Sequence, residues 1–350
     1  MKKLYCLTLL VISLISSSYS GSSTVGSVGQ GKQPQVSVDS KGVVRVVYGF
    51  GDKIFCATSA NNGQTFSNPE LVAEIPNMHL GMSRGPQLAS STHTSIITAI
   101  DKSGNIHWFK LNNGSAKWQP MGMVNDLKGS APEGMIAINA DAKDDFYAVW
   151  LDTRVGGKNQ LWFASLSPKS NRWTVNRMIY QSPDEHICEC CKPSIAVAGT
   201  TVAVMFRNWL NGSRDLYVLR SANSGRSFSA AQKMGLDTWK LNGCPMDGGG
   251  IRINASNQIQ TIWQRKGDIY FAQDNDPEVY IGKGKTCSLT ANADRAMITY
   301  QNNDTLKLVT IPDKNTTVIG EGSFVKSVRL ANRANFFVWE QGDQIRYRSL

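Results

Sequence analysis

After its first fifteen residues the chain has no apolar run long enough to cross a bilayer, which takes about 20 consecutive residues in a helix. It has no block of lysines and arginines and no nucleic-acid-binding motif, and its basic residues are scattered. Between residues 192 and 228 no helical apolar period is sustained. These absences exclude a membrane-spanning helix and a nucleic-acid partner, and they turn attention from helices to strands.

The start of the chain is different. Met1-Lys2-Lys3 is followed by an apolar run from Leu4 to Ile15, then by Ser16-Ser-Ser-Tyr-Ser20 and Gly21. A basic start, a short apolar core and small residues before a cut after Ser20 describe a secretory signal peptide. Residues 1–20 are therefore expected to be removed, leaving 21–350 as the exported chain. Cys6 lies within that leader, without the small-residue context of a lipid-anchored cysteine. The brief two-lysine start has a bacterial look, so the expected location is secreted or periplasmic. The net charge of +10 falls to +8 once Lys2 and Lys3 are gone, an excess that favours anionic partners without naming one. Six cysteines remain: Cys56, Cys188, Cys190, Cys191, Cys244 and Cys287. In an oxidising compartment disulfides are the default reading, and six cysteines allow 15 pairings.

Residues 192–228 contain three strand-like pieces, at 195–198, 201–206 and 215–220. A Gly-Thr turn and a loop rich in Asn and Gly separate them, and Ser221-Ala-Asn-Ser-Gly-Arg-Ser-Phe228 follows. β-branched and aromatic residues bounded by Gly, Asn and Ser predict antiparallel strands with tight turns. The unit recurs. An apolar residue followed by an aromatic ends its second strand at Val47-Tyr48, Val149-Trp150, Met205-Phe206, Ile262-Trp263 and Val338-Trp339, with Thr299-Tyr300 as a weaker match. Ala99-Ile100 takes that place in the second unit. Spacings of 37 to 57 residues are those of propeller blades, each a four-stranded antiparallel sheet. The aromatics read as packing between blades.

Seven units are visible, six if one weak unit is discounted. The last has strands at 324–330, 335–340 and 344–349 and lacks a fourth. The orphan piece 23–28, ahead of the first inner strand at 35–38, is expected to complete it, closing the ring and removing exposed sheet edges. The predicted fold class is all-β: a seven-bladed β-propeller of four-stranded antiparallel blades, its N-terminal strand closing the last blade.

Ser59-Ala-Asn-Asn-Gly-Gln-Thr-Phe66 and Ser221-Ala-Asn-Ser-Gly-Arg-Ser-Phe228 resemble the Asp-box, the Ser-x-Asp-x-Gly-x-Thr-Trp turn of sialidase-like (BNR-repeat) propellers. Both fall between a third and a fourth strand, where that family carries it. Asn61 and Asn223 stand for the usual Asp, and Phe stands for Trp. A short polar side chain still bonds nearby amides and Gly still permits positive φ. The resemblance implies a propeller across nearly all of the exported chain, and it says little about chemistry.

Strand alternation puts the turns between second and third strands, and the links between blades, on one face. That face collects residues 78–86, 132–133, 186–191 and 244–247, together with the turns 101–102, 152–154, 207–209 and 264–266. Loops converging from every blade make such a face the expected binding surface. There Arg84, Arg154, Arg207 and Arg265 are candidate anion donors. Sialidase-like enzymes hold a substrate carboxylate with three arginines and use an Asp acid/base with a Tyr–Glu nucleophile pair. Arg84-Gly-Pro86 resembles the Arg-Ile-Pro motif that supplies their first arginine, and Trp150-Leu-Asp-Thr-Arg154 resembles a common blade turn. Arg84 falls in the second unit, however, and no late arginine followed by a tyrosine nucleophile is found. Glu133 and Asp152 are the candidate catalytic carboxylates, since glycoside cleavage needs a closely spaced pair; the alternative is that they are loop carboxylates or arginine partners.

His186-Ile-Cys-Glu-Cys-Cys-Lys192 and Cys244-Pro-Met-Asp-Gly-Gly-Gly250 enter consecutive inner strands, so Cys188, Cys190, Cys191 and Cys244 should meet at the channel mouth. One of the adjacent pair 190 and 191 is expected to bridge to Cys244, as adjacent cysteines do not easily bond each other. A thiolate–imidazole metal site with His186, and copper-suiting Met78, His79 and Met82 nearby, is the sharper alternative, although Cys-x-Cys-Cys is no usual zinc knuckle. Asp247 and the three glycines after it predict a close backbone approach by a ligand or partner. Cys56 and Cys287 lie in non-adjacent blades and read as buried thiols. Asn113-Gly-Ser and Asn211-Gly-Ser match glycosylation acceptors and read as turns.

The sequence thus predicts a monomeric, exported sialidase-like propeller that binds an anionic glycan or protein partner at its loop face. No cofactor or metal is called for. An exo-sialidase-like hydrolase is the alternative, and a Cys/His metal-binding propeller a further one.

Overall fold

The computed structural model describes residues 24–350 apart from 116, 275, 293 and 294; the expected signal peptide and Cys6 lie outside the described residues. The fold is all-β, with seven antiparallel sheets of four strands each. Their inner strands are Lys32–Val38, Gln87–Ser90, Ile136–Ala140, Ser194–Ala198, Gly250–Ile253, Lys285–Asn292 and Ser323–Arg329, here blades 1 to 7 in order. Each inner strand contacts the next, and Ser323–Arg329 contacts Lys32–Val38, so the ring is closed.

Closure is made as the orphan N-terminal piece predicted. Gly26–Gln30 pairs antiparallel with Gln344–Ser349 and becomes the fourth strand of blade 7. The paired segment lies two to three residues later than the sequence placed it. A single residue, Gly31, then links it to the inner strand of blade 1.

The second strands explain why the blades stack. Val44–Phe50, Thr94–Ile100, Phe146–Asp152, Thr201–Arg207, Ile259–Arg265, Arg295–Asn302 and Asn335–Gln341 are buried along almost their whole length, with apolar side chains predominating. A strand covered on both sides needs a continuous apolar run rather than an alternating one. Tyr48, Ile100, Trp150, Phe206, Trp263, Tyr300 and Trp339 all lie in these strands and are buried. Seven apolar clusters result, one for each seam between neighbouring blades.

The two octapeptides fold into the same turn. Ser59 Oγ bonds Asn61 Oδ1 (2.8 Å), and Asn61 Oδ1 accepts the Thr65 amide (3.0 Å) while Ser59 Oγ accepts that of Gly63 (3.0 Å). The corresponding bonds at Ser221, Asn223, Gly225 and Ser227 are 2.9 Å each. Glycine is required twice over: φ is +73° at Gly63 and +76° at Gly225, and an added Cβ would come within 2.6 Å of Phe336 and 2.5 Å of Phe163. The closing aromatics plug seams, Phe66 against Phe336 and Tyr347, and Phe228 against Phe163.

Candidate functional site at the channel mouth

The loop that leads from blade 3 into blade 4 carries the cysteines. It is pinned to blade 4 by pairing of Ile187 with Asn208 and by the Cys188 amide on the Arg207 carbonyl (3.0 Å). Cys190 forms a disulfide with Cys244, 54 residues later, joining this loop to the one that enters blade 5. That is the expected inter-blade staple. Cys188 and Cys191 stay free, their sulfurs 3.2 Å apart; Cys188 Sγ is 3.7 Å and Cys191 Sγ 3.9 Å from Cys190 Sγ. All three are buried, with Met246 packed against them.

The Arg214 guanidinium donates to Cys188 Sγ (3.0 Å), lies over the Trp209 ring and pairs with Glu189 (3.3 Å). The neighbouring Cys191 thiol, together with Arg214 and Arg207, outweighs burial and brings the Cys188 thiol down to about 7. Burial and the proximity of Cys188 push Cys191 well above the usual thiol range. His186 is not part of this group; its ring stacks on Trp209, and Nδ1 lies 3.2 Å from the Asp184 carbonyl.

Immediately after the cysteines comes Lys192. A Cβ at Gly248 would fall 1.8 Å from the Lys192 carbonyl oxygen, and one at Gly249 2.4 Å from that of Ile262. The close backbone approach expected at Asp247 to Gly250 is thus found between blades 4 and 5 themselves. The buried Asp247 carboxylate accepts the amides of Gly249 (3.0 Å) and Thr286 (2.8 Å), tying blade 5 to blade 6.

The Lys192 side chain enters the central channel, a cavity of about 270 Å³ lined by inner strands of all seven blades. Its Nζ donates to Gln87 Oε1 of blade 2 (2.8 Å). Lys326, on the inner strand of blade 7, lines the same channel and its mouth. Burial first, and the Lys326 charge second, bring Lys192 down to about 7. Burial also holds Lys326 below the ordinary lysine range, against the opposing pull of Cys287 and Asp247. No carboxylate forms an ion pair with either amine among the described residues.

The four candidate arginines are each engaged within the protein. Arg84 donates to the Glu133 carbonyl (2.6 Å) and approaches its carboxylate (3.7 Å). Arg154 lies over Trp162 and bonds Asp152, Asp126 and Asn176. Arg207 is 2% exposed and donates to the carbonyls of Asp247, Arg214 and Gln264. Arg265 is held by Glu278 and Asp237.

Asp152 has no exposed surface. Its oxygens accept Ser130 Oγ (2.7 Å), Trp150 Nε1 (2.9 Å) and three N–H groups of Arg154 (2.8–3.0 Å). A carboxylate filled in this way is a structural hub. Met78 sits in the core between blades 1 and 2, His79 Nε2 lies 2.9 Å from the Pro132 carbonyl, and Met82 is exposed. Cys56 and Cys287 are buried free thiols.

Lys192, Lys326, Gln87 and Arg214 were not singled out by sequence. A signal for Lys326 existed in the repeat. It pairs with Val338, the residue before the second-strand aromatic; Gln35, Ala137, Ser194, Gly250 and Ser288 pair with the equivalent Val47, Val149, Met205, Ile262 and Thr299. Among these channel-lining equivalents Lys326 alone is charged.

No family model matches the chain, and no curated protein matches it. Solved structures do. An ulvan lyase, a polysaccharide lyase bound to -[GlcA(1-4)Rha3S]-, superposes with a TM-score of 0.59 at 11% identity, over 92% of this chain and 94% of that one. A catalytically inactive virginiamycin B lyase from Staphylococcus aureus with quinupristin gives 0.55 at 14% identity, over 94% and 99%. A Hadza microbial sialidase gives 0.50 at 10% identity, over 77% and 63%. At such identities the likeness is one of fold, and the chain has a sialidase-like, seven-bladed β-propeller fold.

Proposed function

We propose that this propeller is an exported binding protein that takes an anionic glycan at its loop face, seating a sulfate or carboxylate of the ligand over the channel between Lys192 and Lys326. The observation that carries the reading is the pair of amines at one mouth with no carboxylate of the described residues in ion-pair contact. Burial disfavours charge on both lysines, and at Lys192 the neighbouring amine adds to it; a bound anion offsets that cost while gaining charge-assisted hydrogen bonds. Gln87 and the Thr286 segment add polar groups beside them.

The ulvan lyase neighbour was solved with a polymer of glucuronate and sulfated rhamnose, which supports an anionic saccharide as the ligand class; the quinupristin complex is a reminder that the same fold takes other molecules. Reading the two octapeptide turns as Asp-boxes, and residues 1–20 as an export signal, fits the same account. The Cys190–Cys244 bond is compatible with an oxidising compartment. A hydrolytic role for Glu133 and Asp152 draws no comparable support, because Asp152 is enclosed.

The test is calorimetric titration with sulfated or uronate-bearing oligosaccharides and their neutral counterparts. The reading expects binding of the anionic set alone, weakened at high salt. Equal binding of neutral sugars, or none of either, refutes it.

A further inference from the structure

We propose that, once the Cys190–Cys244 bond is reduced, Cys188, Cys190, Cys191 and Cys244 form a closed four-sulfur site for a thiophilic d¹⁰ cation, Zn²⁺ or Cu⁺. Three of these sulfurs already lie within 3.2–3.9 Å of one another, and the fourth is bonded to one of them. Four thiolates around a cation at about 2.3 Å form a tetrahedron whose edges are about 3.8 Å. Two of the three observed separations, 3.7 and 3.9 Å, match that edge, and the third needs to open by only a fraction of an ångström.

Softness and charge point the same way. Thiolates select zinc and copper(I) over hard cations. Four thiolates around a divalent cation keep two negative charges; one guanidinium touches the cluster, and that of Arg207 is hydrogen-bonded to the carbonyls of its neighbours Arg214 and Asp247. Arg214 donates directly to Cys188 Sγ (3.0 Å). Arg207 is buried, and the hydrogen bonds it donates go to carbonyls, not to a carboxylate. Glu189 takes part of the Arg214 charge from the rim. Met246 covers the cluster, and all three loop cysteines are buried, as a closed structural site requires.

The chemistry balances simply. A dithiol reductant gives two electrons and two protons to the Cys190–Cys244 bond and leaves as its own disulfide. The cation then displaces the thiol protons to solvent. The inter-blade covalent staple is thereby exchanged for a coordinate one, joining the same two loops. This inference is independent of the anion-binding reading.

The experiment uses the full exported chain, reduced with a phosphine and then freed of it, and titrated with Zn²⁺ or Cu⁺ against a chromophoric competing chelator. The expected result is one cation per chain with four sulfur neighbours at about 2.3 Å by X-ray absorption. Cys188→Ser and Cys191→Ser should each weaken binding at least tenfold, and Cys56→Ala should not. Arg214→Gln should cost about 10- to 100-fold while leaving the sulfur count unchanged, as an outer-sphere partner does. If a cysteine variant misfolds, the wild-type stoichiometry and sulfur shell decide. No retained cation after gel filtration, a shell of nitrogen and oxygen, or unchanged affinity in the Cys188 and Cys191 variants overturns the proposal.

Discussion

Replacing Asp152 by Ala separates a structural carboxylate from one that meets a ligand. The change removes the acceptor for five donors, from Ser130, Trp150 and Arg154, at a site with no exposed surface. Trp150 Nε1 would be left buried without a partner, at about 1–3 kcal/mol. Arg154 would lose its innermost counter-ion but keep Asp126 (2.6 Å) and the Asn176 side chain (3.1 Å). Breaking one side of a buried pair costs about 3–5 kcal/mol, and the retained Asp126 keeps the sum within that range. With an unfolding entropy of about 2.1 cal/mol/K per residue over about 330 residues, the expected fall in Tm is about 4–7 °C. Thermal unfolding of D152A beside the wild-type chain measures this, and glycan titration below the transition should give unchanged affinity. A Tm within 1 °C of wild type, together with loss of binding or turnover, would refute the reasoning.

Three further outcomes are expected. Cys244→Ser in the oxidised, metal-free chain removes a cross-link spanning 54 residues, worth about 4 kcal/mol on the chain-entropy account and read as a lower denaturation midpoint; an unchanged midpoint contradicts the staple. Gly248→Ala forces a Cβ to within 1.8 Å of the Lys192 carbonyl, so it should cost several kcal/mol or abolish soluble expression, whereas Gly212→Ala, with no atom near it, should cost about 1–2 kcal/mol in denaturant melts. Lys326 binds its proton less tightly folded than unfolded because burial disfavours its charge. The unfolded chain therefore holds more protons in the interval below the ordinary lysine pKa of 10.5, and stability should rise with pH across that interval. Lys326→Met should flatten that slope in denaturation midpoints taken along a pH series, and an identical slope in the variant counts against the buried-cation assignment.

The fold was legible because its signals are local and repeated. The apolar–aromatic pairs at 47–48, 149–150, 205–206, 262–263 and 338–339, and the weaker Thr299-Tyr300, mark the second strands, and each is buried at a seam because blade stacking needs one there. The missing fourth strand of the last blade pointed to the N-terminus for the same reason. The meeting of Cys190 and Cys244 followed from consecutive inner strands. The channel mouth was harder. Arg84, Arg154, Arg207 and Arg265 carry the residue type that anion sites use, but whether a guanidinium faces a ligand or a neighbouring carbonyl is decided by tertiary contacts such as those of Arg207 with Asp247, Arg214 and Gln264. Lysine is common on surfaces, so residue type alone marks neither Lys192 nor Lys326; the register of the inner strand places Lys326 in the channel, whereas Lys192 lies in the loop ahead of its strand and is placed there only by its contact with Gln87.

The position of a bound anionic saccharide tests the proposed site most directly. A crystal structure of the chain soaked with a sulfated, uronate-bearing oligosaccharide should show the anionic group within about 3 Å of the Lys192 and Lys326 amines, with that density absent from a Lys192→Met, Lys326→Met variant. A saccharide held at the Asn61 or Asn223 turns on the opposite face, or bound at the mouth with its charge turned away from both lysines, would contradict it.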